Sequence, residues 1–386
     1  MSNDFTPPRC LILSLPVPLW VLVFILVACA PSPETPAPPT PTNLPEKIPP
    51  GTDSPTQTET PSPSPTAART PPALPDIYVS DYLNPVDTPH TYIEDTCEYL
   101  KNRWDPNNAA PGTIVMIVML NNINRGDKPD SPDSITVVQF ERMVENLKEQ
   151  RFEAINAAQL GDFLESNKKI PPRSALFLQD GRRTADNFNR RFRQYWEDWG
   201  WPVVNSWIIQ VDSPDSLIQE HLALEQEGFV DHQLYSSLHR FSDNASEEYL
   251  TGELKKYTDI FEERYNKAPI AITWPGEPGI NFPKAARTLG FRLGFTQNAR
   301  GPVMYNWIPL ADRLDLKRPA YYPETSFNDP LMTLPRYWPS QVRDQLDQVR
   351  LTGKDAIAYA EQNKETELEY YEIVCAPAYG GIVTAP

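Results

Sequence analysis

The stretch Arg173-Ser174-Ala175-Leu176-Phe177-Leu178-Gln179-Asp180-Gly181 constrains this chain more than any other. Four apolar residues without alternation, Ala175 to Leu178, predict a strand buried on both faces, as in a parallel sheet covered by helices. The strand ends in a polar pair and a glycine, which permits the turn out of the sheet. A carboxylate just past such a strand faces the ligand crevice in open sheets and barrels alike, so Asp180 is a candidate site residue. Its plainer role would be to cap the turn that follows.

Elements of the same rhythm surround it. Thr113 to Leu120 is a second continuous apolar run of strand length,. Val137, Phe140, Met143, Val144 and Leu147 recur at helical spacing, with Asp133 or Ser134 available as cap,. Phe152 to Ile155 reads as a short extended piece, Ala157 to Leu164 as a helix, Thr184 to Trp199 as one helix, and Pro202 to Val211 as strand. Further helices are predicted over Ser216 to Gln226, Glu247 to Tyr265, Phe282 to Leu289 and Gln341 to Arg350. Short strands are predicted at Phe229-Val230, Ile270 to Thr273 and Phe291 to Phe295. An arm with one short helix, Ile93 to Trp104, comes before all of these. Strands alternating with helices imply parallel βα units, for which a barrel-like sheet is the natural closure.

Ahead of this part the chain is of a different kind. Met1 to Arg9 is short and polar, Cys10 to Ala28 is almost entirely apolar, and Leu26-Val27-Ala28-Cys29 closes the run. That pattern predicts an export signal, and small residues followed by Cys resemble the bacterial lipobox, so Cys29 is expected to carry lipid. An uncleaved anchor helix is the alternative; Pro16 and Pro18 within the run, and the Cys at its end, favour cleavage,. Residues 30–75, rich in Pro, Thr and Ser, cannot bury a core and predict an extended tether,. The expected location is extracytoplasmic and membrane-anchored. A net charge of -16 argues against nucleic acid and anionic head groups as partners,. Of the four cysteines, Cys97 and Cys375 remain in the globular part, and an oxidising compartment predicts a disulfide between them.

Ile170-Pro-Pro-Arg-Ser-Ala-Leu-Phe-Leu-Gln-Asp-Gly181, with Gly200-Trp201-Pro202-Val203-Val204 and Gly290-Phe291-Arg292-Leu293-Gly294-Phe295, resembles the polysaccharide deacetylase family (NodB-homology, carbohydrate esterase family 4). The resemblance implies an α/β fold, a distorted (β/α)7 barrel, with a family-like core over about residues 113–319 and flanking arms at 76–112 and 320–386. It implies metal-assisted deacetylation of N-acetylated glycan. A divalent metal, zinc or similar, held by Asp-His-His would polarise the acetyl carbonyl and activate a water, with one Asp as base and a late His as acid. Carried over residue by residue, the metal Asp falls on Asp180 and the base on Gln179. The H-S/T-x-x-H motif falls on Tyr235-Ser-Ser-Leu-His239, and R-x-P-x-G on Thr273-Trp274-Pro275-Gly276. His232, seven residues before His239, would share its face if this stretch were helical.

The departures bear on chemistry. An amide cannot take a proton near neutral pH, so Gln179 orients a water at most. Tyr235 stands where a metal His is expected, Thr273 replaces an Arg, and the four histidines, His90, His221, His232 and His239, include no late acid. Asp180 and His239, helped by Gln179 or Glu277, are the remaining metal donors; Tyr235, Trp274 and Pro275 would touch substrate. Two functions follow from the resemblance. The first is an envelope-anchored deacetylase with impaired or altered catalysis. The second is a non-catalytic glycan-binding or scaffolding lipoprotein, favoured by aromatics near predicted strand ends: Trp199, Trp201, Trp274, Tyr305 and Trp307.

Overall fold

The computed structural model describes residues 69–131, 133–210, 212–236, 245–276, 278–313 and 327–382. Cys29, His239, Glu277 and nearly all of the expected tether therefore lie outside the described residues. An arm carrying β1 (Asp87–His90) and α1 (Thr96–Trp104) leads into β2 (Ile114–Leu120), buried at every position as its unbroken apolar run requires,. A small ladder, β3 (Asn122–Asn124) with β4 (Ser134–Thr136), then precedes α2 (Val137–Glu149). The cap of α2 is not Asp133 or Ser134. Thr136 takes that place, its hydroxyl accepting from the Gln139 amide while the Gln139 side chain accepts from Thr136,.

Next come β5 (Glu153–Ala154), α3 (Ala157–Ser166) and β6 (Arg173–Asp180). The helix expected over Thr184 to Trp199 is two, α4 (Ala185–Arg191) and α5 (Arg193–Trp199), divided at Phe192. Its apolar face is continuous across the break, with Phe188, Phe192 and Tyr195 all buried. β7 (Val203–Trp207), α6 (Asp215–Gln226) and β8 (Val230–Tyr235) follow. β8 runs well past the expected Phe229-Val230. Its polar residues are satisfied within the sheet, as Gln233 Oε1 accepts from the Ile270 and Ala271 amides,. α7 (Glu247–Tyr265), β9 (Ala271–Thr273), α8 (Asn281–Thr288), β10 (Leu293–Phe295) and β11 (Ile308–Ala311) complete the alternation. Then comes α9 (Pro339–Tyr370), 32 residues long where the sequence predicted a helix ending at Arg350, and a short α10 (Ala376–Tyr379) follows it.

Among the described residues the main sheet has seven strands, all parallel, in the order β10-β9-β8-β7-β6-β2 with β5 also on β6. β2 pairs along the whole of one edge of β6, so β5 and β7 divide the other, β5 at its start and β7 at its end. The fold is α/β, with the parallel strands curled into a half-barrel. Its interior is filled by Ile117, Leu176, Leu178, Val204, Leu293 and Phe295 from the strands, with Val303, Leu310 and Leu334 from later segments.

The gap between β10 and β2 is closed by a segment that the sequence placed in a flanking arm. The Leu334 amide donates to Gly294 O at 2.8 Å and its carbonyl accepts from Thr296, which ties the segment to β10. Three residues on, the Tyr337 amide donates to Ile117 O at 2.7 Å and its carbonyl accepts from Met119, which ties it to β2. Residues 334–337 thus serve as one more, irregular stave.

Cys97 and Cys375 form the expected disulfide, with S–S 2.03 Å and Cα–Cα 5.3 Å across 278 residues,. It joins α1 to the end of the C-terminal helical run, beside Leu100 and Tyr371. Reduction, or Cys97→Ser with Cys375→Ser, should remove about 5–6 kcal/mol of stability on the chain-entropy model for a loop of this length,. Denaturant titration with and without reductant measures this loss, and thiol counting by mass should show the two cysteines blocked until reductant is added.

Candidate functional site

Asp180 is the last residue of β6 and pairs in register with Ser206 of β7. The strand's alternation turns Asp180 inward and Gln179 outward. The Gln179 amide nitrogen donates to the carbonyls of Leu120 at 2.7 Å, Asn121 at 2.9 Å and Asp180 at 3.1 Å. That amide is spent tying the end of β6 to the end of β2.

Asp180 is 6% exposed and does not stand free. Arg336, buried on the closing segment, donates from Nη1 to both carboxylate oxygens, at 2.7 and 2.8 Å. Its Nε donates to Thr296 O at 2.6 Å and its backbone amide to Asn298 O at 3.0 Å. Guanidinium and carboxylate are thus held by the two sides of the barrel seam. Burial pushes the Asp180 carboxyl above its usual range; Arg336, and beyond it Arg183, pull the other way. Desolvation outweighs attraction here, the usual balance for a buried pair. Arg183 reaches over the same mouth, donating to Asn121 O. Tyr235, at the end of β8, has its hydroxyl pushed up to about 12 by burial and by the Asp180 charge, so it is a neutral phenol at any ordinary pH.

This donor set does not suit a divalent cation. Both oxygens of Asp180 are engaged by a permanent positive charge, which a metal would have to displace or lie beside. No group of three or more His, Cys, Asp or Glu able to hold a metal occurs among the described residues.

Three other expectations are corrected. His232 lies on β8 rather than on a helix, and it is fully buried. Trp274 is fully buried, its indole donating to Met332 O at 2.9 Å, so it offers no face to a sugar. Trp201, Tyr305 and Trp307 are likewise under 10% exposed; Trp201 donates to Glu153, and Trp307 donates to Tyr78 O from a ring stacked on that tyrosine.

Two features had not been singled out as site residues. The first is Arg336, whose signal was a lone guanidinium among Leu334, Tyr337 and Trp338; a charge in an apolar run needs a buried partner. The second is a relay behind the mouth. His221 Nε2 donates to Arg183 O at 2.8 Å, so its Nδ1 must accept from His232 Nε2, at 2.9 Å,. His232 Nδ1 meets Glu225 at 2.6 Å, and Lys267 joins Glu225 to Asp231. Trp207 packs against His221 and Tyr265 stacks on His232. Burial, together with the neighbouring His232, pushes His221 down to about 3.

No protein family model and no curated protein matches this chain. Among solved structures its fold is similar to that of the Streptococcus pyogenes deacetylase PplD in complex with acetate, at 16% identity and TM-score 0.47, over 62% of this chain and 99% of that one. It is similar also to a polysaccharide deacetylase from Bacillus cereus, at 16% identity and TM-score 0.45, over 61% and 69%. A third likeness is to IcaB from Ammonifex degensii, at 13% identity and TM-score 0.44, over 62% and 98%.

Two measurements check the geometry. Asp180→Asn leaves Arg336 buried without a counter-charge and should cost about 3–5 kcal/mol in denaturant unfolding, whereas Asp180→Leu combined with Arg336→Met should recover most of it. Second, unfolded His221 takes up a proton near 6.5 and folded His221 only near 3,. Its contribution is therefore full above pH 6.5 and is lost progressively as pH falls toward 3. Urea midpoints between pH 7 and 4 should fall, and His221→Gln should flatten that slope.

Proposed function

We propose that this chain is a polysaccharide deacetylase-like protein of the cell envelope that engages N-acetylated glycan, with metal-assisted hydrolysis impaired at the strand end where it would be expected. One observation carries the reading: Arg336 holds both oxygens of Asp180, so the carboxylate that would ligate a metal is already neutralised by the protein's own cation. The chemistry of the neighbours agrees. Gln179 has no proton affinity and has given its amide to backbone carbonyls, and Tyr235 remains protonated, so neither serves as base or as anionic ligand,.

The envelope assignment rests on the apolar leader ending at Cys29, the Pro-rich stretch after it, and a disulfide that suits an oxidising compartment,. Among the described residues no helix is long and apolar enough to cross a membrane; attachment is assigned to a lipid on Cys29 on the strength of the leader pattern alone,. Glycan as partner rests on the sequence resemblance. The mouth itself offers Arg183 and Tyr235.

Acetate release and binding separate the outcomes. With N-acetylchitooligosaccharides and peptidoglycan fragments, acetate release should lie at least about 10⁴-fold below that of an enzyme with base and acid in place. It should not respond to added zinc or to chelator. The same preparation should be retained on insoluble glycan. Chelator-sensitive turnover abolished by Asp180→Ala would establish catalysis and overturn the impaired-site reading.

A further inference from the structure

At the opposite end of the sheet, where strands begin, the described residues enclose a cavity of about 260 Å³. Gly112 and Thr113 just ahead of β2, Phe163 and Asn167 at the end of α3, the hairpin Met304 to Trp307, and Ala356, Tyr359 and Glu367 of α9 line it, with residues 74–78 along one side. It lies a strand's length from Asp180, on the order of 25 Å. Concave sites with aromatic walls and a few fixed polar groups are where small ligands bind.

The polar group is Asn306. It forms the tip of a tight turn in which Met304 and Trp307 exchange backbone hydrogen bonds, and its φ is 53°, a conformation asparagine tolerates better than most residues,. The residue is 6% exposed. Its Oδ1 accepts from the amides of Tyr92 at 2.8 Å and Ile93 at 2.9 Å, which fixes which way round the side-chain amide lies,. Nδ2 is thereby left as a donor facing the cavity, with no acceptor among the described residues. A held amide donor lacking an acceptor is a recognition element for a carbonyl.

Around it stand three half-buried rings, Tyr78, Tyr99 and Tyr359, backed by the buried Tyr305 and Trp307: Tyr99 stacks on Tyr305 at 5.8 Å, and Tyr78 tilts against Tyr359 at 5.5 Å and stacks on Trp307 at 6.0 Å. Arg103, fixed through Nε to Glu367 at 2.9 Å, holds its guanidinium over Tyr99 and lines the same wall. Planar faces for a ring, a donor for a carbonyl and a guanidinium for hydroxyl oxygens together match one acetamido sugar unit.

We propose that this cavity is a binding site for one N-acetylhexosamine residue of a glycan chain, with the acetamido carbonyl accepting from Asn306 Nδ2. The proposal rests on the glycan reading above and moves recognition to the pole away from Asp180. The discriminating variant is Asn306→Asp, which keeps an oxygen for both backbone amides and replaces the donor by a carboxylate oxygen that repels an acetamido carbonyl. Tyr359→Leu removes a ring face outside that turn and guards against a folding effect, with thermal melting as control.

Titration calorimetry of the full chain with tetra-N-acetylchitotetraose should show binding. Each variant should weaken it about tenfold or more, and the de-N-acetylated tetramer should bind at least tenfold more weakly. Binding that both variants leave unchanged would overturn this site while leaving the glycan reading standing. Equal affinity for the de-N-acetylated tetramer would overturn the acetamido assignment. Absence of binding to any saccharide would overturn the site and the glycan reading together.

Discussion

The seam between β10 and β2 is held by a buried ion pair, and much of the structure depends on it. A half-barrel of short parallel strands leaves two edges whose backbone groups need partners inside the protein. Residues 334–337 supply them by bonding to β10 at one end and β2 at the other. A four-residue stave cannot hold itself by backbone bonds alone. Arg336 fastens it, linking the carbonyl of Thr296 on one side of the seam to the carboxylate of Asp180 on the other. The carboxylate at the end of β6 thus helps to close the sheet.

Once Asp180 is committed to a guanidinium, a base beside it has nothing to activate, and Gln179 can turn outward to bind carbonyls of the neighbouring strand. The relay through His221, His232 and Glu225 likewise ends on a backbone carbonyl, that of Arg183, and steadies the loop leaving β6. The ion pair and the histidine relay are bonded within themselves, whereas Arg336 Nη2, the Asn205 side chain and Trp207 Nε1 are buried beside them with no hydrogen-bond partner among the described residues,.

Much of the fold was legible in the sequence because the strands are apolar runs and the helices carry clean apolar faces. α7 begins and ends where its periodicity does, at Glu247 and Tyr265. Failures occurred where burial was achieved by unusual residues. β8 was underestimated because Asp231, His232 and Gln233 are polar, and their partners, Lys267, Glu225 and the amides of Ile270 and Ala271, are distant in sequence. α9 was cut short at a stretch containing Gly353, which ordinarily marks a helix end. Here a Cβ at Gly353 would meet Gly112 O at 3.1 Å, so the glycine lets the helix pass close to the loop before β2,. At the site, Asp180 was found by its place on the strand. Its partner was not, because an ion pair spanning 156 residues leaves no local pattern.

The two ends of the described chain lie together along α9. Arg69 pairs with Glu369 and Glu372, Tyr359 donates to Asp76 O, Tyr78 donates to Thr352 O and Ser80 bonds to Thr352. A mechanical load arriving from the N-terminal side would therefore act in shear along this helix, not across the barrel. Residues 69–96 could be peeled away in turn, and the load would then reach the covalent link at Cys97 and pass to Cys375. The parallel sheet lies within the loop between these cysteines, a sequence separation of 278, so the link routes such a load past it.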